Sequence, residues 1–401
     1  MSHLAFLESK GVSYKDDGQT GDALVILKRH GLTCARLRLF TSTAAQAQAD
    51  PYNYINNLSY NLTLAARVKG AGLRLLLDFH YSDSWADPQH QAKPAAGTNL
   101  VFSDLVLKMR EYGSNTIAAF GAAGAMPDYV QVGNEITAGI LWPDGANTNS
   151  AAWSSLGQLL NASIQGIKDA AGTNMPKIIV HIDRGGDWST TKWFFDSLVA
   201  QQTPFDMIGE SYYPWWHGSL GDLSNCLTNA AKRYGKPLVV AETAFPWTNT
   251  TYATNIVQCA PTVTGQVQYA IALAKVLKSV PNGLGAGIFW WAAEYQKVRN
   301  VNEAGFNTTS FFDTAGNLLP VADVFGDMVA PLMLGAGLSG TNLALTWPLS
   351  GAGASLLTTT SLSPSTVWES VTNNVQTNGT GFALNLPLQT NRSRFYRLRS
   401  K

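Results

Sequence analysis

Residues 73–80 read Leu73-Arg74-Leu75-Leu76-Leu77-Asp78-Phe79-His80, apolar almost throughout and closing on a carboxylate and an imidazole. A strand with one wet face alternates polar and apolar residues, whereas a nearly unbroken apolar run suits a strand covered on both faces, as in a parallel sheet clad in helices. The same signature recurs at 34–40, 129–134, 177–183, 207–212, 238–242 and 286–291. Between these runs lie stretches with helical periodicity, such as 58–71 and 151–171. Strands alternating with helices predict an α/β fold, a (β/α)8 TIM barrel in which seven strands are visible, one fewer than expected.

Each run ends in polar or aromatic residues: Phe79-His80-Tyr81, Asn134-Glu135, His181-Ile182-Asp183, Ser211-Tyr212-Tyr213, Glu242-Thr243 and Trp290-Trp291. In a barrel these ends share the C-terminal rim, where the active sites of the fold are built, so residues scattered along the chain converge on one cleft. Any one of them reads equally well as a satisfied strand-end polar group; the set does not. Two carboxylates are the minimum apparatus of glycoside hydrolysis, one giving a proton to the leaving oxygen and one attacking carbon or activating water. Glu135 and Glu242 each close an apolar strand, and Asn134 is placed to hold a sugar 2-hydroxyl. An isolated Asn-Glu pair is common; its place at a strand end gives it meaning.

Composition narrows the partners. Only 14% of the 401 residues are charged and the formal net charge is +1, which offers no electrostatic footprint for nucleic acid or an anionic membrane. Twelve tryptophans and fourteen tyrosines favour a neutral polymer instead. No apolar run is long enough to span a bilayer, and no export signal opens the chain. Cys34, Cys226 and Cys259 read as buried free thiols, with a bridge between Cys226 and Cys259 as the open alternative. After about Leu334, Gly335-Ala336-Gly337 reads as a linker, and helical periodicity gives way to short alternating runs at 343–347, 355–360, 366–371, 382–386 and 394–398. This divides the chain into a barrel over 1–333 and a small β-sandwich-like module over 338–401. The module resembles a C-terminal unit appended to many secreted bacterial enzymes, through Leu345, Trp347, Pro348, Trp368, Val371 and the run Phe395-Tyr396-Arg397-Leu398. Trp347 and Trp368 read as its core.

Counted in a complete barrel, Glu135 ends the fourth strand and Glu242 the seventh, a placement similar to that of a clan of retaining glycosidases. The segments Arg36-Leu37-Arg38-Leu39-Phe40, Asp78-Phe79-His80-Tyr81-Ser82-Asp83-Ser84-Trp85-Ala86-Asp87-Pro88, Gly133-Asn134-Glu135, Ser211-Tyr212-Tyr213-Pro214-Trp215-Trp216-His217 and Ala241-Glu242-Thr243 carry the match further. Over residues 3 to about 330 the chain resembles the endo-β-1,4-galactanases of glycoside hydrolase family 53. The resemblance implies internal cleavage of β-1,4-galactan or arabinogalactan, with Glu135 as acid/base and Glu242 as nucleophile, no cofactor, and secretion or a periplasmic location as a monomer. A guanidinium from Arg36, or from Arg38 two residues on, favours an ionised Glu242, and the Tyr212 or Tyr213 hydroxyl orients it. Asp78, His80, Asp83, Asn134, His181 and Asp183 are expected around the sugar. The apolar C–H face of galactose suits an indole, so Trp85, Trp142, Trp216, Trp247, Trp290 and Trp291 are candidate platforms, Trp291 first among them. For each, packing beneath its own loop is the equal alternative.

Two features depart from the family pattern. Some members carry an acidic calcium-binding run after the seventh strand, but 243–266 holds no Asp or Glu, so no metal is expected. Glu210 stands where an apolar residue is usual, two positions from Tyr212 and hence on the same face. It is expected either to tune a subsite or to pair with an arginine. Relatives begin with a Gly-Ala-Asp-x-Ser strand whose end corresponds to Met1-Ser2, so the chain is expected to start inside the first strand. A hydrolase of another β-linked polysaccharide and a catalytically silent sugar-binding barrel are the competing readings.

Overall fold

The computed structural model describes residues 1–250, 253, 259–298, 305–329, 333–348, 354–363, 367–372, 375–378, 381–388 and 393–399. Seven parallel strands form its principal sheet: β1 (Cys34–Leu39), β2 (Arg74–Phe79), β3 (Tyr129–Val132), β4 (Lys177–Ile182), β5 (Met207–Ser211), β6 (Leu238–Thr243) and β7 (Gly285–Trp290). They lie in sequence order across the sheet. The seven expected strands are all present, with ends displaced by a residue or two. Helices α1 (Ala23–Arg29), α2 (Leu58–Gly70), α3 (Phe102–Ala122), α4 (Ser150–Ala171), α5 (Trp188–Ala200), α6 (Leu220–Tyr234), α7 (Val263–Lys278) and α8 (Val321–Val329) precede β1, make each crossover, and follow β7. This is the winding of a (β/α)8 barrel.

The pleat sorts the side chains. Leu76, Ile179, Met207, Val239 and Ala241 form an apolar layer of their own inside the curl. Leu37, Leu75, Leu77, Val130, Ile178, Val180, Ile208 and Val240 belong instead to the large core that packs the sheet against the helices. Farther along the strands the inward positions turn polar, with Arg36, Asp78, Gln131 and His181 all buried. The barrel is therefore greasy at its base and hydrogen-bonded near its rim.

β1 and β7 are the edges of the sheet, and among the described residues no eighth strand joins them. A groove of about 280 Å³ lies between them, with Ile179, Met207 and Val239 in its lining. β7 is half-exposed along most of its length, whereas β6 is buried throughout. Ser2 occupies part of the seam, its Oγ accepting from the Arg38 backbone N–H at 2.9 Å. The outer layer bridges the opening. His30, which caps α1, contacts Asp323 of α8 at 2.6 Å. Gly31 sits so close to α8 that a Cβ there would fall 2.2 Å from Gly326 Cα, and its φ of +88° also calls for glycine.

Beyond the barrel, β8 (Gly335–Ser339), β9 (Asn342–Pro348), β10 (Ser355–Thr359), β11 (Glu369–Ser370), β12 (Gln376–Asn378), β13 (Gly381–Pro387) and β14 (Phe395–Arg399) make two small antiparallel sheets, ordered β8-β9-β13-β12 and β11-β10-β14. Leu345, Trp347, Leu356 and Leu384, drawn from both sheets, form their shared core. Trp347 stacks on Phe382, and Arg397 lies 4.2 Å over the Trp368 ring. The glycines read as a linker belong to a strand, because 335–339 pairs residue for residue with 342–346. Thr366 of the expected 366–371 strand lies outside the described residues. All three cysteines are free, so Cys226 and Cys259 are not bridged. No described helix is long and apolar enough to cross a membrane.

Candidate active site

Two local distortions bring the glutamates to the rim. On β6, Val239 and Ala241 point into the barrel, so strict alternation would turn Glu242 outward. The register to β5 shifts between Val240 and Glu242, and the register to β7 shifts between Val240 and Thr243. This irregularity re-aims Glu242 inward. After β3 the chain turns at Gly133, where a Cβ would lie 2.5 Å from Ile136 Cγ2 and φ is +96°. Glu135 follows in the left-handed region, φ 51° and ψ 51°, a strained position for a residue with a side chain.

Arg36 is the hub of the polar layer. Its Nη1 donates to Glu242 Oε1 at 2.8 Å, its Nη2 to Asn134 Oδ1 at 2.7 Å, and its Nε to Gln131 Oε1 at 3.1 Å. Asp78 Oδ2 lies 2.9 Å from Arg36 Nη2 and 2.9 Å from His80 Nε2. Burial acts to lower the Arg36 pKa, but Asp78 and Glu242 outweigh it and hold the guanidinium charged. The other oxygen of Glu242 accepts from the Tyr213 hydroxyl at 2.9 Å. Burial above all, and then the adjoining Glu242, raises the tyrosine well above its usual pKa, so it stays a donor.

Among the described residues no cation is bonded to Glu135. Ser211 Oγ donates to its Oε1 at 2.6 Å. Burial first, then Glu242 and Asp183, push its pKa well above the usual carboxylate value, which favours the protonated form. The two carboxyl groups thus sit in unlike settings, one bonded to a guanidinium and a phenol and the other buried under a serine.

The other expected residues divide into groups. Asn134 is held in the layer, its Nδ2 donating to the Ala86 carbonyl at 2.8 Å. Asp183 lies beside the acid, accepting from Thr137 Oγ1 at 2.5 Å and 3.2 Å from Arg184. Arg38 does not reach Glu242: its guanidinium lies over two indoles, 4.1 Å from the Trp85 ring centroid and 4.7 Å from that of Trp291. Trp216 stands 60% exposed at the rim, its ring 5.2 Å from that of Tyr213. These are the indoles a sugar chain can meet.

Several assignments need correction. Asp78, His80 and His181 are engaged within the protein, with Ala86 N–H donating to His80 Nδ1 at 2.9 Å and both His181 ring nitrogens in use. Asp83 ties loops together, accepting from Thr41 Oγ1 and from Ala95 N–H. Tyr212 is buried on the outer side of the sheet, its hydroxyl donating to the Gly218 carbonyl. Glu210 shares that face: it accepts from Arg184 N–H at 3.2 Å and contacts Thr191 Oγ1 at 3.0 Å, away from the cleft and, among the described residues, without a guanidinium partner. Trp290 also points outward, its Nε1 donating to Thr309 O and its ring packed near Phe311 and Phe325. Trp247 packs against the main core, and Trp142 donates to the Ala138 carbonyl. Sequence reasoning missed Gln131 and Ser211, whose parity on β3 and β5 was the available signal.

A singly wound α/β sheet with two unlike carboxyl groups at its C-terminal rim is the layout of a barrel glycoside hydrolase. The family model described as glycosyl hydrolase family 53 matches residues 1–325. The chain belongs to glycosyl hydrolase family 53. Relatives include the arabinogalactan endo-β-1,4-galactanase of Humicola insolens, 34% identical over 79% of this chain and 95% of that protein. That of Thermothelomyces thermophilus is also 34% identical, over 81% of this chain and 96% of that protein. Among solved structures, the Ignisphaera aggregans GH53 catalytic domain is similar with a TM-score of 0.74 and 32% identity, covering 81% of this chain and 93% of the other. A chain from the structures of two fungal β-1,4-galactanases gives a TM-score of 0.72 at 33% identity, covering 80% and 96%.

Proposed function

We propose that this chain is an endo-acting, retaining β-1,4-galactanase working on galactan or arabinogalactan. The observation that carries the reading is the unequal setting of the two carboxyl groups, Glu242 bonded to Arg36 and Tyr213, and Glu135 buried under Ser211 with its pKa pushed well above the usual carboxylate value. Glu242 attacks the anomeric carbon while Glu135 gives its proton to the departing glycosidic oxygen. Glu135, now ionised, takes a proton from water, which attacks the same carbon and releases Glu242. The exposed Trp216 and the edge-to-face pair Trp85 and Trp291 suit a chain threaded across the rim, consistent with internal cleavage. Relatives named arabinogalactan endo-β-1,4-galactanases favour galactose as the unit. The near-neutral, weakly charged composition suits a secreted monomer that meets a neutral polysaccharide and neither nucleic acid nor membrane.

The test is a reducing-sugar assay across linear galactan, arabinogalactan, mannan, xylan and β-glucan. The reading expects galactan and arabinogalactan to be cleaved to mixed oligosaccharides at least about a hundredfold faster than the others. Preference for another polymer would replace galactan as substrate. No cleavage of any would leave a sugar-binding barrel.

A further inference from the structure

A chain of buried hydrogen bonds runs from the guanidinium that holds Glu242 to the carboxyl group of Glu135, and its direction can be worked out link by link. Arg36 Nε can only donate, so Gln131 Oε1, 3.1 Å away, accepts. That fixes the glutamine amide, whose Nε2 faces Asp78 Oδ1 at 2.6 Å, His181 Nδ1 at 3.0 Å, the Gly133 carbonyl at 3.0 Å and Asn134 Oδ1 at 3.3 Å. The backbone N–H of Glu135 also points at Nδ1, at 3.4 Å. Asn134 Oδ1 lies 3.1 Å from the same nitrogen, but a hydrogen placed there would meet the Glu135 N–H, which can only donate. His181 Nδ1 is therefore bare and the ring hydrogen sits on Nε2. From there it is donated to Ser211 Oγ at 2.9 Å, and the serine hydrogen passes to Glu135 Oε1 at 2.6 Å. Gln131, His181 and Ser211 have no solvent exposure, so water does not compete for these links.

We propose that Ser211, oriented by His181, is a positioning residue that keeps Glu135 Oε1 an acceptor and so confines the transferable proton to Oε2. A carboxylic acid free to carry its proton on either oxygen presents the wrong one half of the time; this one does not. The inference rests on the reading of Glu135 as the acid/base. It also has a sign: a hydroxyl donating to Glu135 favours its ionised form, so Ser211 moderates the upward pressure exerted by burial, Glu242 and Asp183. The other ionisable groups acting on this carboxyl group or bordering it are Arg36, Arg184 beside Asp183, Tyr213 and the neutral His181.

Ser211→Ala should raise the basic limb of the kcat/KM profile on galactan by about one pH unit. It should also lower kcat/KM on galactan about tenfold while changing it less than about twofold on a dinitrophenyl β-galactobioside, whose departure needs no proton. Ser211→Thr, which keeps the hydroxyl, should restore both. A merely structural serine would affect both substrates alike and leave the limb in place. An unmoved limb overturns the proposal, and so does a downward shift, which is what the reversed chain requires. Nitrogen-15 NMR of His181 in the unaltered protein checks the direction without any variant: hydrogen on Nε2 is expected, and hydrogen on Nδ1 overturns the proposal. Glu135→Ala tests the parent reading separately, since an acid/base deletion should retain kcat/KM on the dinitrophenyl substrate and be rescued by azide. If it does neither, the acid/base assignment fails whatever Ser211 shows.

Discussion

At the scale of single residues, charge is sorted by who touches whom. Glu242 sits between a guanidinium and a phenol, and Glu135 sits under a serine. Glu242→Gln and Glu135→Gln should each lower galactan turnover by at least about two orders of magnitude while galacto-oligosaccharide binding survives; near-normal kcat in either removes that residue from the chemistry. Glu210 shows the same physics without a catalytic part. Burial raises it well above its ordinary value, Thr191 and the Arg184 N–H only partly opposing this, so the native state holds a proton that the unfolded chain releases. Stability should therefore fall as pH rises from the unfolded carboxyl value of 4.5 towards the raised native one. A glutamine makes the same two hydrogen bonds as the protonated acid. Glu210→Gln should match the parent near pH 4 and melt at least about 2 °C higher at pH 8, the equivalent of roughly 1 kcal/mol in a large domain; parallel melting curves across pH would contradict this. The strand-end glutamates were legible because they close apolar runs. Gln131 and Ser211 were not, since strand parity could place a glutamine and a serine inward but could not give their roles until their cross-strand neighbours were known.

At the scale of elements, continuous apolar runs located every strand of the sheet, because two-sided burial leaves few polar residues to blur the signal. Direction of pointing was harder. Parity correctly put Glu210 and Tyr212 on one face, but that face is the outer one, and parity alone would have turned Glu242 outward had the β6 register not shifted. The glycines at 335–337 carry no side-chain pattern, so their pairing with 344–346 could not be read. Contacts between elements also set conditions on stability. His30 joins α1, the hairpin residue Asp16 and α8, lying 3.2 Å from Asp16 and 2.6 Å from Asp323. Burial works to lower its pKa, but the two carboxylates prevail and raise it above 6.5. The stabilisation is thus complete below pH 6.5 and is lost as pH climbs through the raised value. The Tm difference between the parent and His30→Ala should be largest below that pH and shrink in alkaline buffer; a constant difference would show that packing alone is lost.

At the scale of the whole molecule, a seven-strand sheet curls far enough to gather residues from β1 to β7 at one rim, although its edges stay apart. Arg36 of β1 reaches Glu242 of β6 across the interior, and the polar layer spans the site where the outer helices span the seam. The cleft thereby depends on side-chain bonds between distant strands more than on closure of the sheet. In the proposed mechanism one carboxylate attacks the sugar and the other manages protons, which would invert the anomeric centre twice. Proton NMR of galactan during the first minutes of digestion reads this directly. Retention predicts that the new reducing ends appear first as the β-anomer and then mutarotate; first appearance of the α-anomer would contradict it.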